Sequence, residues 1–119
     1  MKALDFDRLR EVNWTRANEF FGDVDQWTLL ERCGEMTGEA GEAANVAKKL
    51  KRGWKMENGK RVPFTQKDIS VLMDDLADEL ADVIITADLV AGQADIDLGE
   101  RVRKKFNEKS LKWNAPHRL

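Results

Sequence analysis

Two runs of carboxylates carry most of the chemistry this chain can offer. Glu35, Glu39 and Glu42 stand at i, i+4 and i+7 in GEMTGEAGEAANVAKKLKR, and Asp75, Glu79 and Asp82 repeat that spacing in DDLADELADVIITAD. On a helix each trio projects from one face. Like charges so placed repel by roughly a few tenths of a kcal/mol per pair, and no lysine is interleaved in either trio. The second trio lies beside the apolar positions Leu76, Leu80 and Val83, where half-buried, unpaired carboxylates are expensive. Two helices with facing carboxylate stripes make physical sense when divalent cations sit between them. Mg2+ and Mn2+ take oxygen ligands, and Mg2+ completes its shell with water and substrate phosphates. For either run alone, a solvated helix face is the plain alternative.

Other chemistries are excluded by the residue inventory. His117 is the only histidine and Cys33 the only cysteine. Ser-His-Asp triads, histidine metal sites, multi-cysteine zinc sites and internal disulfides therefore drop out. Cys33 reads as a small buried apolar residue. The net charge is −2, so the chain as a whole is not built to coat nucleic acid, and no long nucleic acid is expected as a partner. The signs are segregated, however. Residues 48–61 and 101–112 are rich in Lys and Arg, and residues 74–82 are acidic.

The elements that must hold the carboxylates read as helices. The 119 residues, 42% apolar and 35% charged, fit one domain spanning 1–119. A first helix is expected over roughly 5–21, with Phe6, Leu9, Val12 and Phe20 on one side. Asp25 is a plausible N-cap for a second helix running to Arg52, with Gly53 as its stop. Asn58-Gly59 inside GWKMENGKRVPF predicts a tight turn, hence a small hairpin or mobile flap. Thr65 with Asp68 opens a third helix over about 66–94, and Asp97 with Glu100 opens a fourth, to about Trp113. Leu98, Val102, Phe106 and Trp113 form its apolar edge. Trp14 and Trp113 are read as packing residues. Gly34, Gly38 and Gly41 line the second helix beside its carboxylates, and together they forgo roughly 3 kcal/mol of helix propensity; a neighbouring helix or a ligand would explain them. Ile85 and Leu89 fall off the main apolar face of the third helix, which argues for dimerisation. The fold class is all-α, an antiparallel bundle of four main helices completed by a second chain. No apolar run is long enough to span a membrane, and the N-terminal residues lack an export-type apolar stretch. No membrane association is expected, and the expected location is the cytoplasm.

Glu39-Ala-Gly-Glu42 and Glu79-Leu-Ala-Asp82, in the contexts GEAGEAANVAKKL and LADELADVIITADLVA, resemble the paired E-x-x-E and E-x-x-D motifs of the MazG-like all-α nucleotide pyrophosphohydrolases. DIDLGERVRKKFNEKSLK resembles that family's fourth helix, so the likeness covers about residues 25–112. It implies that Glu39, Glu42, Glu79 and Asp82 hold Mg2+, with Mn2+ an alternative. It implies a homodimer or a dimer of dimers acting on a small nucleotide. The reaction implied cleaves a nucleoside triphosphate between the α- and β-phosphates. Bound metal neutralises phosphate oxygens and lowers the pKa of a water, and a further carboxylate takes its proton. Many relatives carry a second glutamate just before the first motif glutamate; here Gly38 stands in its place. Glu35, one turn earlier, is the candidate base beside Glu39, or else a surface acid.

With phosphates in view, Lys48, Lys49, Arg52, Lys105 and Lys109 become candidate partners, although cations in a last turn also offset the helix dipole. Asn107 is a candidate for sugar or phosphate. Trp27 and Trp54 are candidates to stack on a base, and packing is the competing role for Trp27. House-cleaning or control of nucleotide pools is the expected duty. A catalytically silent helical interaction module and a phosphoribosyl-ATP pyrophosphohydrolase are the alternatives.

Overall fold

Short-range capping signals set most of the element ends. The computed structural model describes residues 3–22 and 26–119. Among these, four helices follow in order, α1 (Phe6–Phe21), α2 (Leu29–Arg52), α3 (Gln66–Gln93) and α4 (Leu98–Lys112). Strands β1 (Trp54–Glu57) and β2 (Lys60–Pro63) form an antiparallel hairpin between α2 and α3. The described chain is thus mostly helical, with one small two-stranded sheet.

The Asp5 carboxylate caps α1 by accepting from the Arg8 amide at 2.8 Å. Thr28 and Glu31 form the capping box of α2: the Glu31 amide donates to Thr28 Oγ1 at 3.1 Å, and the Thr28 amide donates to Glu31 Oε1 at 3.4 Å. Thr28 therefore caps α2 in place of the expected Asp25, which lies outside the described residues. Gly53 (φ 79) ends α2 in a backbone conformation that side chains disfavour. Asn58 (φ 52) and Gly59 (φ 76) make the hairpin turn, with both central residues at positive φ as a type I′ turn needs. Thr65 and Asp68 open α3 reciprocally, at 3.1 and 2.9 Å. The Asp97 carboxylate accepts from the Glu100 amide at 3.1 Å to open α4.

The chain divides into two units, one comprising Met1–Arg32 with Ala87–Leu119, the other Cys33–Thr86. In the first, Ala17 and Leu89 are buried and Trp14 packs on them. A Cβ on Gly92 would sit 2.9 Å from the Trp14 ring, so glycine is what lets that indole close. Asp88, only 1% exposed, accepts from Arg10 Nε at 3.1 Å and from Asn13 Nδ2 at 3.0 Å. Arg10 also donates to the Ile96 carbonyl at 2.8 Å. The expected apolar side of α1 is corrected here: Phe6, Val12 and Phe20 are exposed and Leu9 is half-buried, while α1 buries Asn13 and Ala17. Trp113 is exposed rather than packed.

The second unit holds most of α2, the hairpin and most of α3. Ala43 and Val46 are buried. On α3, Leu80 of the expected apolar stripe is 53% exposed, and Ile84 one turn on is 52% exposed. Leu89, expected off the core face, is buried instead, and Ile85 is half-buried. The reason is local to α1: the residues that approach α3 are Trp14 and Ala17, and they cover the Leu89 side. Apolar periodicity marks a helix face without saying whether the same chain covers it.

Candidate metal centre

The carboxylates converge within the second unit. About 15 Å of helix separates Glu42 from the end of α2, and about 20 Å separates the start of α3 from Glu79. The tight hairpin turns the chain back, so Glu79 returns level with the α2 glutamates. One oxygen each of Glu39, Glu42 and Glu79 lies within 4.8 Å of the others. Glu39 and Glu79 are half-buried, and Glu42 is exposed. Asp82 is exposed and outside that set, yet its charge acts on both Glu39 and Glu79. Of the second trio, Asp75 is exposed rather than half-buried.

Electrostatics mark the cluster as strained without a cation. With every carboxylate ionised, Glu39 Oε2 and Glu79 Oε2 are shielded from solvent and meet no donor. The Glu79 carboxyl is pushed up to about 7, first by a carboxyl–carboxyl hydrogen bond with Glu42, then by desolvation and the charges of Glu42, Glu39 and Asp82. Desolvation, followed by the charges of Glu42 and Asp82, raises Glu39 above the ordinary carboxylate range, and Glu35 adds to the effect. Sharing a proton is one way to relieve such a cluster; a divalent cation is the other. The donor set fits a hard cation, being all oxygen with two inward oxygens that no protein donor satisfies. Residues Glu39, Glu42 and Glu79 would hold it, with Asp82 beside them.

The glycines of α2 are not filled from within the chain. A Cβ on Gly34, Gly38 or Gly41 would meet nothing within 4 Å. The expected close approach of a helix to that stripe is therefore not supplied by the described residues of this chain.

The candidate phosphate and base partners fall in different surroundings. Lys48, Lys49 and Arg52 crowd the end of α2, where with Asn45 and Lys51 they line an open depression. Arg52 Nε donates to the Trp54 carbonyl at 3.0 Å. The Arg52 and Arg61 guanidiniums lie 4.8 and 4.4 Å from the centre of the Trp54 ring, so Trp54 already has cationic partners. Lys55 is held by Asp68 at 3.1 Å, tying the hairpin to the first turn of α3.

Trp27, Lys105, Asn107 and Lys109 belong to the first unit. Trp27 is half-buried under the buried Arg32, whose guanidinium lies 4.5 Å from the ring centre, and the Trp27 carbonyl accepts from Gln93. Lys105 pairs with Glu108 at 3.5 Å, and Lys109 is exposed. Asn107 uses both ends of its amide on the backbone of Leu119, accepting at 2.9 Å and donating at 3.4 Å. Sequence reasoning missed the Arg61–Trp54 contact, although the two-residue turn makes these residues diagonal neighbours across the hairpin. It also missed the Arg10–Asn13–Asp88 network, whose only local sign is that Arg10 and Asn13 are three apart on α1.

Compared with known proteins, no family model matches the chain and no curated sequence matches it.

Proposed function

We propose that the protein is a Mg2+-dependent nucleoside triphosphate pyrophosphohydrolase of the MazG-like type, releasing a nucleoside monophosphate and pyrophosphate. The observation that carries this reading is the convergence of Glu39, Glu42 and Glu79 from α2 and α3, with two shielded oxygens that lack donors. When bound there, Mg2+ (or Mn2+) neutralises phosphate oxygens and lowers the pKa of a water. Glu39, Glu42 and Glu79 would hold the ion, with Asp82 beside them. Glu35 is half-buried and close enough for its charge to raise Glu39, which supports its reading as the group that accepts a proton from the attacking water. Lys48, Lys49 and Arg52 draw the polyphosphate toward the C-terminal end of α2, and Trp54 flanks it. Two copies form the working unit, in the cytoplasm; among the described residues no helix is long and apolar enough to cross a membrane.

The test is a panel of ribo- and deoxyribonucleoside triphosphates incubated with Mg2+, with pyrophosphate as readout. Release from at least one nucleotide, abolished by chelator, is expected. Silence across the panel at saturating Mg2+ overturns the hydrolase reading.

A further inference from the structure

We propose that the corner formed by the end of α2 and the outward face of the hairpin binds a single-stranded polynucleotide through its phosphates and unpaired bases. The hairpin register pairs Trp54 with Pro63 and Met56 with Arg61. Side chains alternate across a strand, so Trp54, Met56, Arg61 and Pro63 share one face, while Lys55, Glu57, Lys60 and Val62 share the other. The Lys55 side is engaged, because Lys55 reaches Asp68 at 3.1 Å. The Trp54 side is open, with Met56 and Arg61 exposed.

Five cations lie along that open side: Lys48, Lys49, Lys51 and Arg52 from α2 and Arg61 beside Trp54. Among the described residues none of the five makes an ion pair, whereas Lys55, Arg103, Lys104 and Lys105 all do. The depression at the helix end is lined by Asn45, Lys48, Lys49, Lys51 and Arg52, with no carboxylate in its wall. Compensation of the helix dipole accounts for cations in the last turn of α2. It does not account for Arg61, which belongs to the hairpin.

Two features favour a strand over a lone phosphate. The patch runs from Lys48 to Arg52, about 6 Å along α2, and on from Trp54 to the level of Arg61, about 7 Å along the hairpin, farther than the three phosphorus atoms of a triphosphate reach. Arg52 and Arg61, held against the Trp54 ring at 4.8 and 4.4 Å, present ordered guanidinium planes, and such planes stack on unpaired bases. In a duplex those base faces are hidden. The net charge of −2 conceals this patch because acids elsewhere in the chain offset its cations.

Anisotropy of a short labelled single-stranded oligonucleotide, titrated with the full chain in chelator, tests the proposal independently of hydrolysis. Between ~50 and ~200 mM salt the affinity should fall, with a log–log slope of about −0.7 per phosphate contact. The double variant Lys51→Ala/Arg61→Ala should bind at least ~tenfold more weakly and flatten the slope by about 1.4. Lys51→Arg, which keeps the charge, should bind like the wild type, and circular dichroism should show unchanged helicity in both. Binding by the double variant equal to the wild type overturns the proposal. So does absence of binding at ~50 mM salt, where such contacts are strongest. Inorganic tripolyphosphate competing as well as the oligonucleotide, phosphate for phosphate, also overturns it and leaves a simple phosphate site. Capture by phosphatidylserine vesicles without oligonucleotide binding overturns it in favour of a lipid surface.

Discussion

Glu79 is the residue whose setting has the clearest solution consequence. Its carboxyl is pushed up to about 7 in the folded protein, against an ordinary value near 4.3 in an unfolded chain. Between those values the native state holds a proton that the unfolded state has released. Stability of the metal-free protein therefore falls as pH rises through that window. Melts in chelator at pH 5.5 and 8 should show the lower Tm at the higher pH, and Glu79→Gln should flatten the difference. Mg2+ should restore Tm at pH 8 in the wild type, because the ion replaces the proton as the group that relieves the cluster. If the Tm of the wild type rises with pH in chelator, the carboxylates do not crowd one another as described. Glu42→Gln and Asp82→Asn should each lower Mg2+-dependent turnover by at least ~100-fold, since even outer partners of a metal site are worth ~10–100-fold. Both variants should fold, and in chelator they should be at least as stable as the wild type, because each removes a repelling charge. Near-normal turnover in either one removes that residue from the metal site.

The helices and the hairpin make separate predictions at the scale of the element. Arg10 and Asn13 lock α1 to Asp88 of α3 by satisfying its two carboxylate oxygens. Arg10→Ala leaves a buried charge with one neutral partner and should cost roughly 3 kcal/mol in urea unfolding; a loss within ~0.5 kcal/mol would mean that water takes over from the guanidinium. Gly38 lies inside α2 with open space where a Cβ would stand. In the isolated chain Gly38→Ala should therefore stabilise by about 1 kcal/mol through helix propensity. A lower Tm in that variant would show that something outside this chain packs on the glycine stripe. Gly53→Ala should do the opposite, because its φ of 79 is strained for any side chain.

For the molecule as a whole, the prominent feature among the described residues is the number of exposed bulky apolar side chains. Leu30 is 82% exposed and Phe20 76%, and Leu80 and Ile84 are open on α3. Scattered apolar residues on a surface are ordinary, but the number of large ones here motivates the proposal that a second copy covers some of them. The expectation that two copies complete the core rests on these residues, no longer on Leu89. Light scattering at micromolar concentration should give at least a dimer mass. Leu80→Lys/Ile84→Lys should shift it toward monomer while preserving helicity. A monomer mass for the wild type would sink the assembly reading and leave the apolar surface to another partner.

What the sequence determined by itself is what short-range physics controls. Thr65 with Asp68, Asp97 with Glu100, Gly53, and Asn58-Gly59 set element ends because a cap or turn is completed within a few residues. The Thr28–Glu31 box was equally legible, but Asp25 fits the same N-cap preference nearby, and only the folded chain showed which residue serves. Spacing alone placed Glu35, Glu39 and Glu42 on one helix face. The tertiary structure decided which carboxylates meet. Glu79 comes level with Glu39 and Glu42 because a short hairpin returns α3 alongside α2, whereas Asp75 stays exposed. It also decided burial, covering Leu89 and Asp88 and leaving Leu80 and Ile84 open. Periodicity tells which residues share a face; only the residues that arrive against that face determine whether it is dry, paired or open to water.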